Sequence, residues 1–522
     1  MRINGEWEAI LVTLLFLSAV TLWTIPIRND PSPYGEVDAS SHYAVADYTI
    51  RSGSSITALP FYIDKRYGKD NDFKQHVLWY PPPIHTTYAI GGILSGDPAR
   101  GIYVTNALLT LLILISVYLL IRKLYGIPAA FLSSFLLMFS LRDIMIYLWG
   151  QWPERIGFAF LPLILYCLYE YSEKDGQGRH KAHYLYLMAL LLAANFFIHP
   201  MTFFHSVLAI FFAGLFFLAK EKKLFFSWKH AGIAVLLFLL VLSIFPYQTL
   251  NVVVKSEKQK GLQSDKGDFS RLFSWFKPQK DNQGVPAAYF SYKEMIGPLW
   301  TVPFVLLGIV FLLLRRSKKD LLMLAWLVSL YIMIHLDIIG KGRVHRSLSG
   351  TAHLFYPLMI LGLFFLVSII PYLRNYQKAL KPALGILFVA LLFPAIGISA
   401  YNSLKGAYPS ISRVNPYQLE LAGWLRESGN IPLDAELYHM GSLSLAKTRW
   451  LWMVGHRYII ERESDITNVS FMIIDYSDFS QMGNQQLVNQ LKNFENEKFA
   501  NRTAIYKNPF IKVYPVASGA SP

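Results

Sequence analysis

The chain has 522 residues, 53% hydrophobic and only 16% charged, with a net charge of +15 and one cysteine, Cys167. A globular protein carries about 25% charged residues, so this composition excludes a disordered chain and argues against an ordinary soluble enzyme. A lone cysteine in an apolar run excludes a disulfide scaffold.

A bilayer core about 30 Å thick needs roughly 20 apolar residues per spanning helix. Eleven stretches meet that need, near 8–27, 99–121, 127–147, 152–171, 183–199, 201–219, 230–250, 297–314, 320–339, 351–372 and 379–400. The first is not a cleavable signal peptide: Glu6 and Glu8 stand where positive charge belongs, and no small-x-small site follows. The apolar stretch 183–219 is too long for one span, and Pro200 divides it.

With the N-terminus in the cytoplasm, the inner segments hold 17 of the 49 Lys and Arg. That bias orients membrane proteins. It puts the positive charge at a membrane surface, and no basic-aromatic pattern of a nucleic-acid module accompanies it. No nucleic-acid partner is therefore expected. An odd number of spans leaves the C-terminus outside, where the sequons Asn468-Val-Ser470 and Asn501-Arg-Thr503 fall. The expectation is an integral plasma-membrane protein, N-terminus cytoplasmic and C-terminal domain extracytoplasmic.

The first outer segment, 28–98, opens after Pro31 and Pro33 with GEVDASSHYAVADYTIRSG (35–53). Ala39, Tyr43, Ala46 and Ile50 recur at helical spacing and Gly53 ends the pattern, which reads as an amphipathic helix on the membrane surface. Asp38 and His42 share its polar face one turn apart, with Glu36 at its start. A carboxylate there suits a general base near lipid headgroups. The bland alternative is that Asp38 caps the helix and His42 is interfacial. VLWYPPPIHTTYAIGGILSG (77–96) reads as a rigid turn into a re-entrant half-helix, too short to span.

Further along, Arg142, Asp143, Gln151, Glu154 and Arg155 gather where spans three and four meet the outer face. Charges beside a bilayer are costly unless paired or functional. They either anchor the helix ends in pairs or, for Asp143 and Glu154, face a substrate. His199 precedes Pro200 at the end of span five, with His205 beyond; their spacing is not that of a zinc site. The outer segment 251–296 is polar and Lys-rich, either a gate or a solvated run. The loop 335–355 holds Asp337, Lys341, Arg343, His345, Arg346 and His353, with glycines at 340 and 342, against the charge bias of the other outer loops. Backbone amides at glycines and Arg forks suit a phosphate. The alternative is a basic loop paired with anionic headgroups.

The tail, 401–522, reads as a small α/β domain. Residues 416–428 form a helix, 469–476 a buried strand, 480–494 a helix, and 503–515 a hairpin turning at Asn508-Pro509. The fold class expected is an all-α polytopic membrane bundle over 1–400, with an extracytoplasmic α/β domain over 401–522.

The order of these features resembles the GT-C superfamily of multi-pass glycosyltransferases. They are an acid just past the first span opening a helix, a Tyr-Pro-Pro turn into a re-entrant segment, a long row of spans and an outer soluble domain. Within that superfamily the chain resembles uncharacterised membrane proteins labelled 6-pyruvoyl-tetrahydropterin-synthase-related, a label that implies no pterin chemistry. The resemblance covers residues 1 to about 400. It implies sugar transfer from a polyprenyl-phosphate carrier to an acceptor hydroxyl of a glycan, lipid or protein at the outer face, usually with inversion. Asp38 then corresponds to the first-loop base, and Glu36-Val-Asp38 to a paired-acid variant that could hold Mg²⁺ or Mn²⁺, although no metal site is assigned. The tail has Trp450-Leu451-Trp452-Met453 and lacks the Trp-Trp-Asp of oligosaccharyltransferases, which argues against peptide N-glycosylation. The site residues this implies are Asp38, Glu36 and His42 for chemistry. Asp143, Glu154, His199, Lys341, Arg343, His345 and Arg346 would bind substrate. Competing readings are a transporter or flippase of a lipid-linked saccharide and a non-catalytic assembly subunit. Against the first, the polar clusters lie at one face with no two-half symmetry.

Overall fold

The structure is a computed structural model. It describes residues 5–53, 62–63, 83–174, 176, 179–245, 292–336, 348–370, 376–407, 412–460 and 469–516. The basic loop 341–346, most of the segment 251–296 and the sequon at Asn468 lie outside the described residues.

Apolar runs in lipid must satisfy every backbone group internally, which makes them helices. Each of the eleven expected spans falls on a helix. Five, Gly5–Trp23, Pro98–Tyr125, Pro200–Glu221, Leu348–Ile369 and Gln377–Gly406, are long and apolar enough to cross a membrane. Ile127–Leu137 and Leu141–Trp149, bent by 45°, make a sixth when taken together. Ala182–Ile198, Trp228–Leu242 and Leu299–Arg315 are shorter apolar helices. Trp152–Ser172 and Lys318–Leu336 complete the set. Pro200 does divide two helices: His199 between them is extended, with φ −157° and ψ 121°. The fold is a polytopic helical membrane bundle carrying a small C-terminal sheet.

The chain divides into two compact units. One comprises Met1–Thr24, Ala107–Tyr147 and Trp152–Ala407. Its helices Val302–Arg315 and Thr351–Ile369 approach backbone to backbone. A Cβ at Gly308 would lie 2.1 Å from the Leu358 carbonyl oxygen, and one at Gly362 1.8 Å from that of Phe304. Small residues permit such crossings in lipid. Trp23 Nε1 donates to the Met138 carbonyl at 3.0 Å, and Ser134 Oγ to that of Leu114 at 3.1 Å. Ion pairs form beside the Lys/Arg-rich segments. Glu170 accepts from Lys181 at 2.7 Å and pairs with Lys123. Asp320 accepts from Arg315 Nε at 2.7 Å, Ser317 N at 2.8 Å and Tyr125 Oη at 3.1 Å.

The other unit comprises Ile25–Asn106, Leu148–Gln151 and Tyr408–Pro522. Its sheet joins β1 (Leu437–Met440), β2 (Ile459–Ile460), β3 (Phe471–Asp475), β4 (Tyr506–Lys507) and β5 (Ile511–Pro515) in the order β2-β1-β3-β5-β4. β1 runs parallel to β2 and β3, while β5 is antiparallel to β3 and β4. The continuous apolar run of β3 is buried, with Met472 and Ile474 against Phe499 and Tyr514. Pro416–Glu427 begins with a capping box between Asn415 and Gln418. The helix expected over 480–494 is two, Ser477–Gln481 and Gln485–Phe499, because Gly483 takes a left-handed φ of 70° between them.

The first-loop helix, Val37–Ser52, ends at Gly53 in the left-handed conformation as the sequence predicts. Its setting differs from the expectation. Every residue from Ala39 to Asp47 is buried, His42 and Asp47 included. It is therefore not a surface-lying amphipathic helix. The half-helix Pro83–Ser95 and the tail helix Leu445–Gly455 cover it, and its short Ala and Ser side chains make room for them. Gly150 also abuts it: a Cβ there would sit 2.1 Å from the Ala39 amide nitrogen.

Candidate functional site

Two polar clusters, one in each unit, hold the expected site residues that the structure describes, apart from His199.

In the unit containing the tail, the first-loop helix starts at Glu36, whose backbone is extended with φ −83° and ψ −171°. Asp38 sits in the first turn, half-buried, where a helix dipole favours a carboxylate. The helix cap is thus Glu36 and not Asp38. Ser412 Oγ donates to Glu36 Oε1 at 3.3 Å. Burial pushes the Glu36 carboxyl above its ordinary range, and the Ser412 hydrogen bonds only partly oppose it. One turn beyond Asp38, His42 Nδ1 lies 3.0 Å from His85 Nε2 on the half-helix. One ring donates and the other accepts, so the pair carries at most one extra proton without breaking. Burial, reinforced by His42, pushes His85 well below the ordinary histidine value.

The tail fixes this loop. Gly35 N donates to the Ser412 carbonyl at 3.0 Å, and Trp450 Nε1 to the Gly35 carbonyl at 2.7 Å. Trp452 Nε1 donates to the Tyr62 carbonyl at 2.6 Å. His456 stacks on Tyr62 with centroids 4.8 Å apart and reaches Asp47 Oδ2 at 3.0 Å. The Trp450-Leu451-Trp452 run therefore braces the first loop through its indole nitrogens.

In the unit containing the membrane helices, three helix starts supply the second cluster: Asp143 from Leu141–Trp149, Glu154 and Arg155 from Trp152–Ser172, and His353 from Thr351–Ile369. Arg155 Nη1 lies 2.7 Å from His353 Nε2 and 3.2 Å from Asp143 Oδ1. His353 Nε2 also lies 3.1 Å from Asp143 Oδ1, so the three side chains meet at one point. Ser349 Oγ donates to Glu154 Oε1 at 2.8 Å. Phe158 packs edge-on against His353 and His205, at 5.7 and 5.4 Å between centroids. Arg142, Asp143, Glu154, Arg155 and His353 are each at most 1% exposed.

The structure thus brings Asp143 together with two residues the sequence reading did not select, Arg155 and His353. Arg155 had been considered only as a partner of Glu154, and His353 only as part of a basic loop. The signal available was their position, each in the first turn of an apolar helix. His85 was likewise visible in the Tyr-Pro-Pro-Pro-Ile-His run. His199 is buried at the helix break; its amide donates to the Asn195 carbonyl at 2.9 Å and its carbonyl accepts from Thr202 at 2.9 Å. That accounts for its backbone as the joint between two helices. Lys341, Arg343, His345 and Arg346 lie outside the described residues. Among the described residues no group of three or more His, Cys, Asp or Glu side chains is arranged to hold a metal ion.

The chain belongs to the DUF6541 family, a family of unknown function whose profile matches residues 4–351. No curated protein matches it. Solved structures share the fold at low identity. The apo oligosaccharyltransferase of Archaeoglobus fulgidus matches with a TM-score of 0.59 at 14% identity, over 90% of this chain and 70% of that one. ArnT of Cupriavidus metallidurans bound to undecaprenyl phosphate matches at 0.54 and 12%, over 98% and 99%. AglB of Archaeoglobus fulgidus in complex with an inhibitory peptide and a dolichol-phosphate matches at 0.51 and 14%, over 90% and 69%. The likeness shows the fold, that of the GT-C polytopic membrane proteins.

Proposed function

We propose that this DUF6541 protein is a glycosyltransferase that moves a sugar from a polyprenyl-phosphate carrier to an acceptor hydroxyl at the outer membrane face. In this reading the N-terminus is cytoplasmic and the tail extracytoplasmic. The shared fold supports a lipid-phosphate donor, since two of the similar structures hold undecaprenyl phosphate or a dolichol-phosphate. The observation that carries the reading is the placing of Asp38: a half-buried carboxylate in the first turn of a helix that is buried from Ala39 to Asp47, braced by the tail and preceded by Glu36, whose carboxyl burial pushes above its ordinary range.

The reaction is a single displacement. Asp38 takes the proton of the acceptor hydroxyl as that oxygen bonds to the anomeric carbon. The anomeric carbon–oxygen bond to phosphate breaks, and its electron pair leaves with the phosphate. Asp38 is the base of the pair, with Glu36 beside it at the helix start and His42 supporting it from one turn away. Lys341, Arg343, His345 and Arg346 stabilise the leaving phosphate, and Asp143, Glu154 and His199 face the sugar. A base of this kind is worth about 10²–10⁴-fold.

The test is transfer of radiolabelled sugar from polyprenyl-phosphate donors in membranes carrying the full chain. Asp38→Asn abolishes transfer while insertion and thermal unfolding stay as in the parent. An unchanged rate in Asp38→Asn discards Asp38 as the base.

A further inference from the structure

The Asp143–Arg155–His353 cluster is incomplete as a structural ion pair. Arg155 Nη1 is used twice, but Arg155 Nε and Nη2 and Asp143 Oδ2 are buried with no hydrogen-bond partner among the described residues. A buried ion pair repays its desolvation only when its remaining protons and lone pairs are also satisfied. Each buried orphan forfeits the hydration it had in water and gains no bond in return. Native structures leave few such groups, and those they leave call for a reason.

The orphans have a definite chemistry. Nε and Nη2 form the forked edge by which arginine takes two oxygens of a phosphate or carboxylate. Asp143 Oδ2, on the carboxylate whose Oδ1 meets Arg155 Nη1, is an acceptor for a hydroxyl. The cluster lies at the starts of three helices, whose dipoles favour an anion.

We infer that Arg155 is a phosphate-binding residue for a glycosyl-phosphate headgroup. Its Nε–Nη2 edge takes phosphoryl oxygens, and Asp143 Oδ2 accepts from a hydroxyl of the attached sugar. His353 and Asp143 Oδ1 are the positioning groups that hold Nη1 and so fix the fork. This rests on the lipid-phosphate donor proposed above and assigns a residue of the described membrane helices to it.

The experiment uses the full chain in lipid nanodiscs and farnesyl phosphate as the probe, with farnesol and inorganic phosphate as the other arms. Farnesyl phosphate binds and farnesol does not. Displacement by inorganic phosphate alone shows a site for the phosphate group; failure of millimolar phosphate to displace shows that the lipid is needed as well. Arg155→Lys keeps the charge beside Asp143 but loses the fork, and it weakens farnesyl phosphate at least tenfold. A cryo-EM structure of the parent chain with farnesyl phosphate keeps the idea falsifiable if the variants do not fold: it places the phosphate at Arg155. Parent-like binding in folded Arg155→Lys, or phosphate density elsewhere, overturns the assignment. Binding at Arg155 in a chain that transfers no sugar leaves this inference standing and removes the transferase reading. Loss of transfer in Asp38→Asn with parent-like binding in Arg155→Lys does the reverse.

Discussion

Two sets of buried charges in the membrane-helix unit look alike in sequence and differ in structure. Beside the Lys/Arg-rich segments, both oxygens of Glu170 meet lysines, and Asp320 is met by Arg315, Ser317 and Tyr125. At the helix starts near Asp143, one carboxylate oxygen and one guanidinium edge have no hydrogen-bond partner among the described residues. Burial is similar, with Glu170 at 2% exposed, Asp320 at 0% and Asp143 at 0%. Satisfaction separates a staple from a site. The first set joins helix ends, and the second keeps capacity for something that is not protein.

The sharpest way to break this contrast is to delete one charge from the second set. Arg155→Met strands Asp143 in the interior and costs about 3–5 kcal/mol, read as lost thermal stability in detergent. Pairing it with Asp143→Leu recovers most of that loss, because apolar replacement of a whole buried pair is close to neutral. Farnesyl phosphate binding does not recover. Recovery of both would make the cluster a structural pair like the others.

The first set answers differently. Asp320→Asn costs roughly 1–3 kcal/mol, softened because Arg315 reaches solvent. Transfer per folded molecule stays at the parent rate. A fall in rate at constant folded fraction would erase the distinction between staple and site.

The same contrast explains what the sequence could and could not disclose. Each expected span fell on a helix, since apolar length alone dictates one. The tail strand Phe471–Asp475 and the hairpin at Asn508-Pro509 were legible from their apolar run and turn residues. β1, β2 and the helix Leu445–Gly455 were not, because their burial comes from partners far along the chain: Leu437 pairs with both Ile459 and Phe471. The first-loop helix was legible as a helix, but its burial was not. That burial depends on Pro83–Ser95 and on the tail, and spacing within one helix does not encode what covers its polar face. Asp143 could be found as a costly charge near a membrane; His353, 210 residues later, could not be matched to it without the fold.

Two smaller effects sharpen the account of the first loop. Trp450→Phe keeps the packing and loses the hydrogen bond to Gly35, so the unfolding free energy falls by about 0.5–1.5 kcal/mol and transfer falls with the looser loop. Acid acts through His85. The unfolded chain takes up a proton below about pH 6.5, whereas buried His85 stays neutral well below that. Stability is therefore lost as pH falls from 6.5, by up to about 1.4 kcal/mol per unit. His85→Gln flattens that slope in unfolding curves between pH 7 and 5; an unchanged slope would place the acid sensitivity elsewhere.

The central claim is a direct displacement at the anomeric carbon, with a first-loop carboxylate as base. The anomeric configuration of the product, read by proton NMR after transfer from a polyprenyl-phosphate sugar of known configuration, tests it most directly. Inversion is the predicted result, and a retained configuration would contradict the claim.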